Sequence, residues 1–449
     1  MPRLFKYLDA ALSAQQNQKS KIISPLKPGT PCTYSGNAEL EFSKNKEGLA
    51  NWLSNPHDEY NMASLDFYGH LIDDSGNITG FSSMIQQQFG LPLTENIEKD
   101  LMALPYLAEF SICNEKSEGV VIAPFMLEKK NVSFKADPFS ETATLDFLIV
   151  DEKISIKLTS GVMGQPGAKY LLQGKAYTFD KALWEYNVVL TDTMGTIAVG
   201  YGPQSFLPQW LTTEQKNLID AKPYSGNVHA YIKKSNDNMQ GEGSYYYSLP
   251  LLQVDHFKIY RNKDLYTTGS KGYMWVDYVT QSFSHESFPV LKSNATWQFL
   301  AIQLPPELNP EGPSGALMFS KVKMKIPKEG NIYSVLPMAR FYQQQGSPQP
   351  NSALNPTHEW NIKEITFSPA NYWPEPEPKA APNFPLAFSL TLGSIGTKGY
   401  AKLDGKAVYK NQVAKAVDKY EGVFEITGVI NLDGSGDKPI KGYAWAEIH

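Results

Sequence analysis

The chain of 449 residues carries 41 Lys and Arg against 46 Asp and Glu, a formal charge of −5, with 42% hydrophobic and 12% aromatic residues. With no Lys/Arg block, that balance excludes the electrostatic footprint of a nucleic-acid binder and the basic helix of a membrane-surface protein. The apolar content excludes a disordered chain, and the length accommodates two or three domains.

The first segment, MPRLFKYLDAALSAQQNQKS, reads as a short helix. Its apolar run is too short and too interrupted for a secretory leader, so a cytoplasmic location is expected. No stretch approaches the roughly 18–20 apolar residues of a membrane span, and no integral membrane segment is expected. Two cysteines, Cys32 and Cys113, form neither a CxxC pair nor a metal spacing and read as free buried thiols. Helical periodicity recurs near Gly48–Ser54 and in LTTEQKNLIDA (Leu211–Ala221).

Elsewhere the pattern is period two, the mark of strands. SLDFYGHLI alternates Ser64, Asp66, Tyr68 and His70 against Leu65, Phe67, Gly69 and Leu71. ISIKLTS sets Ile154, Ile156 and Leu158 against Ser155, Lys157 and Thr159. GSYYYSLPLLQV sends Tyr245 and Tyr247 to one face and Tyr246 to the other, beside Ser244 and Ser248. GYMWVDYVTQSF puts Tyr273, Trp275 and Asp277 on one face. Turns such as DDSG (Asp73–Gly76) and LDGSGD (Leu432–Asp437) separate such runs. The Pro-rich SPANYWPEPEPKAAPNFP (Ser368–Pro385) reads as a loop. The chain is therefore expected to be all-β with few short helices, closed into two antiparallel barrels over residues 1–255 and 256–449.

The common catalytic motifs are absent. HEWNI (His358–Ile362) lacks the second His of a zinc-protease helix, and GPSGA (Gly312–Ala316) is not a nucleophile elbow. GVMGQPGAK (Gly161–Lys169) lacks the end of a phosphate loop, and AVGYGPQSF (Ala198–Phe206) has no helix after its glycines. What remains is aromatic and polar residues interleaved on strands. Asp is disfavoured inside a strand, so Asp277 needs a partner or a role. Bonding a tyrosine hydroxyl or backbone at a domain junction suits it as well as catalysis does. Gly272, Gly422, Gly428 and Gly442 read as bulges or close strand approaches, and His70 and His256 as surface or satisfied polar residues.

In order along the chain stand SYYYS (Ser244–Ser248), GYMWVD (Gly272–Asp277), TWQFLAIQL (Thr296–Leu304), KYEGVFEITG (Lys419–Gly428) and KGYAWAEIH (Lys441–His449). Near the front, Phe67, Gly69 and Leu71 fall in a strand followed by a turn. On these segments the chain resembles the AttH-like, lipocalin-like family that includes carotenoid 1,2-hydratase, kievitone hydratase and the fungal lipocalin-like Diels–Alderases. Ser64-Leu65 stands where that family has tandem Trp, and Tyr278-Val279-Thr280-Gln281 where it often has His-Gln-Trp-Gly.

The resemblance implies two packed lipocalin-like β-barrels with an apolar cavity at their junction. The expected partner is a hydrophobic small molecule of polyene or isoprenoid class; no cofactor, metal or nucleic acid is expected. One chemistry is a pericyclic, Diels–Alder-type cyclisation. Tyr246, Tyr68 or Gln281 then supplies a hydrogen bond, Trp275 is a stacking wall, and Tyr273 and Tyr245 are further substrate contacts. The other is hydration of a C=C bond, with protonated Asp277 or else Asp66 as the acid. A third is carriage of a hydrophobic ligand without chemistry.

Overall fold

The computed structural model describes residues 62–88, 106–115, 121–127, 132–136, 143–149, 152–161, 164–178, 181–200, 206–208, 217–218, 220–224, 243–282, 295–325, 332–344, 354–360, 364–373, 384–410, 412–414 and 419–448. Nearly all of these are strand. One sheet is built from β1 (Met62–Asp73), β2 (Ile78–Gln88), β3 (Tyr106–Cys113), β4 (Val121–Leu127), β5 (Val132–Ala136), β6 (Ala143–Ile149), β7 (Glu152–Ser160), β8 (Lys169–Tyr177), β9 (Leu183–Asp192), β10 (Ile197–Ala198), β11 (Phe206–Pro208), β12 (Gly243–Arg261) and β13 (Asp264–Ser282). The second takes β14 (Ala295–Leu304), β15 (Gly315–Lys325), β16 (Ile332–Gln343), β17 (His358–Trp360), β18 (Ile365–Trp373), β19 (Phe384–Leu392), β20 (Tyr400–Ala407), β21 (Val413–Ala414), β22 (Lys419–Asn431) and β23 (Lys438–Ile448). The order of the first is β4-β3-β2-β1-β13-β12-β9-β8-β7-β6-β5, and of the second β17-β16-β15-β14-β23-β22-β20-β19-β18. Both are antiparallel and lipocalin-like. A single 3₁₀ turn, Pro306–Leu308, links β14 to β15.

Alternation dictates each sheet's faces, because successive side chains on a strand point to opposite sides. In the first sheet Leu65, Phe67, Leu71, Ile154, Ile156, Leu158, Leu249, Met274 and Val276 turn inward and form one core. In the second, Leu300, Ile302, Leu304, Ala444, Ala446 and Ile448 do the same. Both cores are apolar. Aliphatic side chains make up most of each, with aromatic rings packed among them, as in the edge-to-face contact of Phe81 with Tyr186, centroids 5.0 Å apart.

Several expectations shift position. Residue 255 lies inside β12, which is hairpinned to β13 in the first sheet. The change of sheet falls between Ser282 and Ala295. The reason is that β12 and β13 are each 19 residues long and bind the first sheet together through its middle. Within the Pro-rich segment, Ser368–Trp373 is the end of β18. Among the described residues that strand pairs only with β19, so Pro369 sits on an edge strand, where proline is tolerated. In the 211–221 segment, Asn217, Leu218 and Asp220 are helical. The amino-terminal helix and the one near residues 48–54 lie outside the described residues. Gly272 has φ +130°, and a Cβ there would stand 2.2 Å from the His70 carbonyl oxygen, so only Gly lets β1 and β13 approach.

The outer faces of the two sheets meet. A third buried cluster joins Tyr68, Leu251, Tyr273 and Trp275 of the first sheet to Phe299, Ala301, Met318, Met338, Tyr342, Val423 and Trp445 of the second. Polar ties cross the same layer. Gln303 donates to the Pro250 carbonyl at 2.8 Å, Tyr342 to Ala198 at 2.7 Å, and Gln344 to Thr193 at 2.9 Å. Arg340, buried and paired with Glu359 at 3.0 Å, donates to the carbonyls of Val199 and Gly200. The segment from Thr193 to Gly200 is thus a strap of the first sheet gripped by the second.

Candidate functional site

Asp277 lies in this shared layer, on the junction face of β13, and is 5% exposed. Its carboxylate accepts four hydrogen bonds. Ser248 Oγ and Trp275 Nε1 donate to Oδ1 at 2.5 and 2.6 Å. Tyr246 Oη donates to Oδ2 at 2.5 Å, and Tyr68 Oη donates to the same oxygen. Register explains the gathering. Ser248 on β12 and Asp66 on β1 both stand directly opposite Asp277. Tyr246 and Tyr68 each stand two residues along the same face, the diagonal position from which a long side chain reaches across. Trp275 lies two residues before Asp277 and shares its face.

The second sheet supplies the lid. The ring of Tyr68 stacks on Trp445 with centroids 5.8 Å apart and meets Phe299 edge-on at 6.3 Å. Glu447, on the same face of β23 two residues beyond Trp445, brings negative charge to both tyrosines. Burial pushes the Asp277 carboxyl above its ordinary range, against the opposing pull of its four donors. Burial also holds the hydroxyls of Tyr68 and Tyr246 well above the usual tyrosine value, and the Asp277 charge adds to it. The centre therefore holds its protons tightly. Among the described residues no group of His, Cys, Asp or Glu could hold a metal ion.

Access is uneven. Tyr68, Ser248 and Trp275 are buried with Asp277, whereas Tyr246, Asp66, Tyr443 and Glu447 on the junction faces are each partly exposed. Within the network, Tyr246 alone combines a direct bond to the carboxylate with an accessible edge. A separate open groove of about 370 Å³, bordered by Gln173, Lys175, Glu185 and Tyr260, contains none of the candidate residues.

Four of the sequence-chosen residues, Tyr68, Tyr246, Trp275 and Asp277, come together at this centre. Asp66 stands across the ladder from Asp277 and its charge acts on Tyr246. Tyr273 is on the same face but turns away, donating to Glu307 of the 3₁₀ turn. Tyr245 and Gln281 are placed by ladder register only, opposite Thr280 and Ser244; their side chains lie outside the described residues. Trp275, expected as a stacking wall, has a wholly buried indole that donates its N–H to Asp277. His70 is not on the surface: it is 1% exposed, and its Nε2 has no hydrogen-bond partner among the described residues. Ser248 and Glu447 were not singled out. Each is readable from alternation alone, two residues beyond Tyr246 and Trp445.

No protein-family model matches the chain, and no curated protein sequence matches it. Solved structures do. An AttH-type protein from Nitrosomonas europaea superposes with a TM-score of 0.55 at 15% identity, over 94% of this chain and 99% of that one. The chain has the fold of that AttH-like, lipocalin-like structure, and at such identity the likeness is one of fold. Kievitone hydratase from Nectria haematococca gives 0.48 at 12% identity over 96% and 98% of the two chains. CghA with Sch210972 gives 0.48 at 10% identity over 95% of each.

Proposed function

We propose that this chain is a cofactor-free enzyme that folds an apolar, unsaturated small molecule at the junction of its two sheets and closes a ring in it by a pericyclic step. Tyr246 is the group that meets a carbonyl of the substrate. The observation carrying this reading is that Tyr246 bonds the buried Asp277 directly while keeping an accessible edge.

A hydroxyl proton can rotate, whereas the Trp275 N–H cannot. With Asp277 ionised, Tyr246 gives its proton inward and offers only lone pairs outward. When the Tyr246 hydroxyl turns from Oδ2 to a substrate carbonyl, Asp277 keeps Ser248, Trp275 and Tyr68 as donors. A fixed donor on a carbonyl that gains charge in the transition state is worth about 10²–10³ in rate. Ordering a flexible chain so that its reacting ends meet removes up to about 7–11 kcal/mol of entropic barrier in ideal cases. A pericyclic step moves no proton from enzyme to substrate, so tyrosines held far above their usual pKa suit it.

Acid-catalysed hydration is the second reading, favoured by the convergence of Asp66, Asp277 and Glu447 on Tyr246. Incubation with linear polyenones followed by product mass separates the two. Unchanged mass with altered retention supports cyclisation, and gain of one water supports hydration. Tight binding without product supports a carrier and overturns both.

A further inference from the structure

Resting on the reading of Tyr246 as the group that meets the substrate, we propose that Tyr342 and Arg340 of the second sheet are positioning residues for it, acting through the strap at Ala198–Gly200. The site is then complete only when the two sheets are docked.

β12 is weakly anchored where it carries Tyr246 and Ser248. From Leu252 to Arg261 its edge away from β13 is zipped to β9. Its ladder with β13 is interrupted between Leu249 and Leu252. Before that break the neighbour on the far edge is β10, two residues long, with Ile197 opposite Ser248 and Ala198 opposite Tyr247. The Val199 N–H continues the pairing and donates to the Tyr246 carbonyl at 3.0 Å. So short a strand does not hold its own place. Fixing backbone costs about 1–2 kcal/mol per residue, and a net hydrogen bond contributes only about 0.5–1.5 kcal/mol.

The second sheet supplies what is missing. On β16, Arg340 and Tyr342 flank Phe341, which lies in the second core, so both face the junction. The Tyr342 hydroxyl donates to the Ala198 carbonyl at 2.7 Å. That carbonyl and the Val199 N–H belong to one rigid peptide group. A bond accepted at the oxygen strengthens the bond donated by the nitrogen, so the chain runs from the Tyr342 hydroxyl through one peptide plane to the Tyr246 carbonyl. Arg340, paired with Glu359, secures the next two carbonyls, those of Val199 and Gly200. Leu354 holds the same stretch, accepting from the Ala198 N–H at 3.2 Å and donating to the Thr196 carbonyl at 2.8 Å. Tyr342 and Arg340 are wholly buried, so solvent does not compete for these bonds.

The test uses the full chain, free of ligand, with ¹³Cζ-labelled tyrosine. The Tyr246 resonance is assigned by its loss in Tyr246→Phe. Tyr342→Phe, which keeps the ring and removes only the hydroxyl, is expected to shift it. The resonances of Tyr186 and Tyr420, one in each core, are expected to stay in place. Gln344→Met, the control, removes an inter-sheet tie of the same kind at Thr193 and is expected to leave Tyr246 unmoved. With a linear polyenone, Tyr342→Phe is expected to lower kcat by up to about 10²-fold, the cost of a misplacement near 1 Å, with KM little changed. An unmoved Tyr246 resonance, an equal shift in Gln344→Met, a shift shared by Tyr186 and Tyr420, or an unchanged kcat overturns the inference and leaves the reading of Tyr246 standing. Should the wild type cyclise no polyenone, that reading fails, and the resonances alone decide whether Tyr342 sets the place of Tyr246. Should Tyr342→Phe not fold, Arg340→Lys is measured in the same way. Its single nitrogen cannot serve Glu359 and the strap carbonyls at once, so the same shift of Tyr246 is expected and its absence overturns the proposal.

Discussion

The two faces of β1 and β13 form the sharpest contrast in the molecule. On one, Leu65, Phe67, Met274 and Val276 are buried in an apolar core. On the other, one residue out of step, Tyr68, His70, Trp275 and Asp277 are just as buried, against a second sheet. Burial does not separate the faces; the means of compensating it does. The inner face is stabilised by removal of apolar area from water, about 25 cal/mol per Å². The junction face buries hydroxyls and a carboxylate, and these are tolerated only because each donor at Asp277 has been given an acceptor.

That contrast can be broken most severely at its centre. Asp277→Ala leaves three buried donors and the half-buried Tyr246 without their acceptor, and a stability loss of about 3–5 kcal/mol is expected even after the hydroxyls re-aim. Leu65→Ala on the opposite face is expected to cost a similar 2–5 kcal/mol through a cavity, roughly. Shape-conserving changes should then separate the faces. Leu65→Met is expected to cost less than about 1.5 kcal/mol, while Asp277→Leu is expected to behave like the alanine variant. Urea midpoints on the four variants check this.

Tyr246→Phe sharpens the division between structure and chemistry. Its stability change should stay near 1 kcal/mol, roughly one hydrogen bond, while kcat for the proposed cyclisation falls by about 10²–10³. Tyr68→Phe, at a residue wholly enclosed by Trp445 and Phe299, should show a comparable stability loss with a far smaller loss of rate.

The smallest expected effect is in the pH dependence of stability, where the raised carboxyls of Asp192 and Asp277 oppose His70. Asp192 anchors the strap by accepting the N–H groups of Met194 and Gly195 at 3.0 and 2.7 Å, and burial raises its pKa from 3.8 to about 7. The folded state then binds a proton that the unfolded state releases, so this contribution is lost as pH rises from about 4 to about 7. His70, lowered from 6.5 to about 3, acts with the reverse sign: the unfolded state gains the proton, and stability falls as pH falls below about 6.5. The wild-type profile is expected to be shallow. Asp192→Asn should uncover a steady loss of stability on acidification from pH 6.5, measurable by thermal unfolding in a buffer series.

Much of the fold was legible beforehand. Alternation assigned Leu65, Phe67, Ile154, Ile156 and Leu158 to a buried face and grouped Tyr68 with Asp66, and Trp275 with Asp277, because a strand's side chains reverse at every residue. The Pro-rich segment misled because proline excludes a central strand but not an edge, and which strand lies at an edge is a matter of sheet order. Strand periodicity does not mark where one sheet ends: β12 and β13 are each 19 residues long, and the change of sheet follows them.

What the sequence determined by itself is the strand content and the identity of the two faces, since both follow from local geometry repeated along the backbone. Only the tertiary structure decided that the polar face is covered. Ladder register brought Tyr68, Tyr246, Ser248 and Trp275 onto one carboxylate, and the packing of the second sheet withdrew that carboxylate from water. Residues more than two hundred positions apart share those bonds, and no periodicity along a chain encodes which distant strand will lie alongside.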